Sequence, residues 1–135
     1  MIEKLLYFTS RQSTTEAELD RLLHLLLEPD RLERCGGIEE VHRSLTRPGG
    51  NIRTAVLVVT EERELLELYR LRGMLFDLRL FVLLPDHDEA AVALAHALRP
   101  RFIGFVNRDE GIVEEMLHKT IGRSFGKTHI KENLP

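Results

Sequence analysis

The sequence predicts an α/β domain built on a mostly parallel sheet, and three apolar runs carry that prediction. They are Ala55-Val56-Leu57-Val58-Val59, Leu80-Phe81-Val82-Leu83-Leu84 and Phe102-Ile103-Gly104-Phe105-Val106. None alternates with polar residues, which is the pattern of strands buried on both faces. Thr60, Pro85-Asp86 and Asn107 close the runs in turn. The intervals between them carry helical spacing, so each interval is a crossover, and crossovers between parallel strands place helices over the sheet. The expected architecture is a three-layer, doubly wound sheet of four or five strands. In such sheets function gathers in the loops at the carboxyl ends of the strands.

The totals exclude several classes. At 135 residues, with 43% hydrophobic and 30% charged side chains, the chain has the length and balance of one globular domain. Its formal charge of −3 leaves no overall basic footprint, so no nucleic-acid partner is expected. Cys35 is the only cysteine, which rules out an intrachain disulfide and a thiolate metal cluster and fits a reducing compartment. The polar start Met1-Ile2-Glu3-Lys4 does not read as a secretory signal, and no apolar run approaches the roughly 18 residues of a membrane span. A cytoplasmic setting of bacterial type, with no membrane partner and no cofactor, is the expectation.

Leu5-Leu6-Tyr7-Phe8 reads as the first strand, ending at Thr9-Ser10. Ser13 and Glu16 have capping-box spacing, and Leu19, Leu22, Leu23 and Leu26 then mark one face of a helix. Pro29-Asp30 breaks it, with a short turn from Arg31 to Arg34. After the stop at Gly36-Gly37, Ile38, Val41 and Leu45 favour an amphipathic helix over an edge strand, because Glu39-Glu40 and His42-Arg43 do not alternate. Glu61-Glu62 suit a first helical turn, and Leu65, Leu66, Leu68 and Tyr69 supply its buried side. Asp86, three residues before Glu89, is the expected cap of the next helix, whose stripe is Ala91, Leu94, Ala95 and Leu98. The last helix, capped by Asn107 or Asp109, presents Ile112, Val113, Met116, Leu117 and Ile121, with Gly122 as its C-terminal stop. The domain is expected over residues 1–122, followed by a basic tail over 123–135.

Three groups of residues bear on chemistry. Thr9, Ser10, Arg11, Ser13 and Thr60 meet where the winding of the sheet reverses. Hydroxyls, an arginine and a helix N-terminus there can hold a small anion, although helix capping and loop solvation explain the same residues. Asp86-His87-Asp88 is dense in metal-ligand types, but adjacent residues at a helix start diverge rather than converge, so a helix cap is the simpler reading. No metal is expected. Ala93, His96 and Ala97, with Arg101 beside the last strand and His118 on the last helix, form a surface of small side chains and basic groups suited to a protein partner or a second copy. Cys35 has no evident His partner, and no catalytic residue emerges.

From Thr9 through Ile121 the strand spacing resembles the receiver domain of two-component response regulators. That resemblance implies a flavodoxin-like fold and a role in bacterial signal transduction. It also implies a phosphorylation site. A pair of acids follows the first strand in receivers; Thr9 and Ser10 stand there in this chain. The phosphoryl-accepting Asp ends the third strand, where Thr60 stands. A hydroxyl residue ends the fourth strand and a lysine the fifth; this chain has Pro85 and then Asn107-Arg108. Phosphoryl transfer to a carboxylate needs the carboxylate itself, a divalent cation held by the acid pair and a lysine to hold the product, and these positions carry neither acid nor lysine. The expectation is a degenerate, non-enzymatic receiver-like module that binds a partner protein. The alternative is a small-molecule or anion sensor using the pocket at the strand carboxyl ends.

Overall fold

The computed structural model describes residues 3–10, 14–105 and 110–125. Five parallel strands form one sheet: β1 (Lys4–Thr9), β2 (Leu32–Cys35), β3 (Ile52–Val58), β4 (Arg79–Leu84) and β5 (Phe102–Phe105). Their order is β2-β1-β3-β4-β5, so the winding reverses between β1 and β3. Among the described residues six α-helices connect or follow them: α1 (Thr14–Leu26), α2 (Ile38–Thr46), α3 (Glu62–Arg70), the single turn α4 (Arg72–Leu75), α5 (Glu89–Ala97) and α6 (Glu110–Phe125). This is the expected three-layer α/β architecture, with five strands in the sheet among the described residues.

The unalternated runs become strands because both faces of the sheet are covered. Leu6, Phe8, Ala55, Leu57, Leu80 and Val82 pack with Val41, Leu65, Leu68, Ala91 and Ala95 under α2, α3 and α5. The alternate residues Leu5, Tyr7, Val56, Val58, Phe81 and Leu83 pack with Leu19, Leu23, Leu117 and Ile121 under α1 and α6. Period-two alternation along each strand thus feeds two separate cores. The turn before β3 is closed by the Gly50 N–H donating to the Arg47 carbonyl at 3.1 Å. Gly49 within it has φ 77°, a conformation that glycine adopts without steric cost.

Several expected details change. The segment Arg31 to Arg34, read as a turn, forms most of the edge strand β2, which is preceded by a 3-10 turn over Pro29–Arg31. Leu32-Glu33-Arg34-Cys35 is too short to show a period, and pairing with the open edge of β1 supplies the order. The segment Ile38–Thr46 is a helix, as its spacing predicts. Asp88, not Asp86, caps α5: its carboxylate accepts from the Ala91 N–H at 3.0 Å. Leu66 and Ile112, both read as buried, are 45% and 55% exposed. Gly122 lies inside α6 rather than ending it. The expected caps Ser13, Asn107 and Asp109 lie outside the described residues. No helix among the described residues is long and apolar enough to cross a membrane.

Candidate functional site

The reversal of winding places the carboxyl ends of β1 and β3 side by side, with Thr9 in register with Val58. Strand alternation puts Ser10 on the side of Phe8, which is the α3 side, and Thr9 on the other. Ser10 therefore meets the chain that leaves β3. Its hydroxyl lies 3.3 Å from that of Thr60. Thr9 is buried at the strand end. Of the expected anion-binding residues, Ser10 and Thr60 converge, while Arg11 and Ser13 lie outside the described residues.

The two hydroxyls do not stand alone. Glu64, the third residue of α3, turns its carboxylate back onto the strand ends. One oxygen, Oε1, accepts from the Thr60 N–H at 2.8 Å and from the Thr60 hydroxyl at 3.2 Å. The other, Oε2, accepts from the Ser10 hydroxyl. Glu64 is only 7% exposed. Sequence reasoning assigned the acidic start of this helix to Glu61 and Glu62 and passed over Glu64. The available signal was Thr60 four residues before a glutamate, one residue longer than a capping box.

Beside this cluster lies a cavity of about 320 Å³ between α2 and α3. Its floor includes Phe8 and Ile38, and Glu39, Glu40 and Glu67 join Glu64 around it, against Arg43 and Arg63. Four carboxylates against two guanidinium groups give it an acidic balance. Cys35 is buried below α2, with its sulfur 3.6 Å from the Ser44 hydroxyl. Burial pushes its thiol pKa up, against a lowering contribution from the Ser44 hydrogen bond. A thiol held protonated in this way is a poor nucleophile.

The cluster Asp86-His87-Asp88 does not converge. The His87 ring stacks on Phe105 with centroids 5.1 Å apart, and Asp88 is occupied as the α5 cap. Among the described residues no group of three or more His, Cys, Asp or Glu side chains is arranged to hold a metal ion.

A second concavity, of about 400 Å³, runs between α5 and the edge strand β5. Val92, Ile103 and Phe105 line it with His87, His96 and Arg101. Two residues of the expected partner surface, His96 and Arg101, thus share one groove. Ala93 and Ala97 are exposed on the same helix. His118 is exposed on α6, which packs against the opposite face of the sheet.

No family model and no curated protein sequence matches the chain. Solved structures do. A protein of Burkholderia pseudomallei described as pilus assembly-related superposes with a TM-score of 0.64 at 15% identity, over 90% of this chain and 91% of that one. A two-component response regulator from Legionella pneumophila gives a TM-score of 0.62 at 16% identity, over 87% of this chain and 98% of that one. At such identities the likeness is one of fold, and with the strand order β2-β1-β3-β4-β5 it makes this chain a receiver-like, flavodoxin-like α/β domain.

Proposed function

We propose that the chain is a non-enzymatic receiver-like module that acts in signal transduction by binding a protein partner, or a second copy of itself, through the α5–β5 face. The observation that carries this reading is the groove lined by His96, Arg101, Ile103 and Phe105 beside the exposed small side chains Ala93 and Ala97. An apolar floor with a basic rim resembles the anatomy of a protein interface, and small residues let a partner helix approach closely. His118, across the sheet edge on α6, extends the proposed surface.

The strand ends support the non-enzymatic half of the proposal. The positions that would carry receiver chemistry hold Thr9, Ser10, Thr60 and Pro85. The hydroxyls of Ser10 and Thr60 already hydrogen-bond to the Glu64 carboxylate. The same contacts weaken the anion-sensor alternative, since an incoming anion would compete with a tethered one. A cytoplasmic location fits this reading.

The test of the surface is the double variant Ala93→Glu/Ala97→Glu. Sizing chromatography with light scattering should show the assembly of the wild-type chain weakened by at least about tenfold in dissociation constant, since two buried unpaired charges oppose it. Unchanged assembly in a folded variant would eliminate this face.

A further inference from the structure

The Glu64 carboxylate does more than helix capping explains. A carboxylate withdrawn from water is unfavourable unless its oxygens are satisfied. Here both accept hydrogen bonds, and among the described residues the donors come from the strand ends: the Thr60 N–H, the Thr60 hydroxyl and the Ser10 hydroxyl. Capping accounts for the Thr60 contacts, which are local to α3. It does not account for Ser10, which lies 54 residues away in sequence and belongs to the end of β1. The result is a bridge across the point where the sheet reverses its winding.

We propose that Glu64 is a built-in anionic occupant of the strand-end site: it clasps the end of β1 to the first turn of α3 and fills the position where these donors would otherwise hold an external oxyanion. The domain is thereby set in one state by its own sequence. Two physical points carry this. The donors at the site are already engaged by a tethered group, whose effective concentration exceeds that of a free competitor. The neighbouring Glu39, Glu40 and Glu67 add a repulsive field against an approaching anion. The clasp does not rest on the partner-binding reading, and its test leaves the α5–β5 face untouched.

The experiment compares wild type, Glu64→Ala, Glu64→Gln and Ser10→Ala by amide NMR and hydrogen exchange, with sodium acetate as the probe and sodium chloride as the control. In the wild type, acetate should leave the Ser10 and Thr60 amide resonances where chloride leaves them. In Glu64→Ala, acetate should shift both saturably, because it replaces the missing carboxylate. Exchange of the Thr60 amide should be faster by about tenfold in Glu64→Gln, which loses the charge-assisted contact, and Ser10→Ala should speed exchange at the end of β1 while α3 stays protected. If Glu64→Ala does not fold, the Gln and Ser10 variants decide the question. The proposal is overturned if acetate shifts the wild-type amides saturably, or if folded Glu64→Ala takes no acetate. It is equally overturned if Glu64→Gln and Ser10→Ala both exchange like the wild type, since the carboxylate would then be only a helix cap.

Discussion

Thr54 is wholly buried at the start of β3, and its hydroxyl has no hydrogen-bond partner among the described residues. A buried hydroxyl without a partner keeps its desolvation penalty and gains nothing back. Valine has nearly the same shape and suits a strand. Thr54→Val should therefore raise stability by about 1 kcal/mol, seen as a higher urea midpoint with an unchanged slope. A loss of stability would show the hydroxyl to be engaged. Arg99 presents a different local cost. It follows α5 with φ 56°, a left-handed conformation unfavourable to residues with a Cβ. Its guanidinium lies 4.6 Å from the Phe76 ring centroid, and that contact offsets part of the strain. Arg99→Gly relieves the strain and loses the contact, so its stability should stay within about 0.5 kcal/mol of wild type. Arg99→Val loses the contact and adds β-branching, and should cost about 1–2 kcal/mol. Equal melting temperatures for the two variants would contradict this account.

At the scale of elements, α5 separates core from surface within nine residues. Ala91 and Ala95 are buried against β4 and α3, while Ala93 and Ala97 face outward. Ala95→Glu should therefore abolish folding, because it places a charge in the core with no partner. Ala93→Glu and Ala97→Glu should each stay within about 0.5 kcal/mol of wild type, as measured by thermal denaturation. That contrast was legible in the sequence, since the stripe Ala91, Leu94, Ala95, Leu98 follows helical period. Two other elements were not. β2 has only Leu32-Glu33-Arg34-Cys35 and takes its order from the edge of β1, a partner distant in the chain. Glu64 reads locally as one acid among several in a helical turn, and its role appears only when the fold brings Ser10 to it. The shift of the α5 cap from Asp86 to Asp88 is a smaller case: the spacing to Glu89 suggested one carboxylate, whereas the N–H that needed an acceptor was that of Ala91.

Over the whole molecule, the layered sheet was readable because its central strands are buried on both faces and leave a continuous apolar signature. The strand-end site was half readable. The sequence placed Ser10 and Thr60 together, but long-range hydrogen bonds have no local signature. The fold is receiver-like, and the proposed activity differs from receiver chemistry because the carboxylate at the site comes from α3 and is already hydrogen-bonded. The most direct measurement is intact-mass analysis after incubation with acetyl phosphate and magnesium. An unchanged mass is the predicted result. A labile adduct of one phosphoryl group, on Glu61, Glu62, Glu64 or Asp86, would contradict the reading of this chain as a module that works by its surface alone.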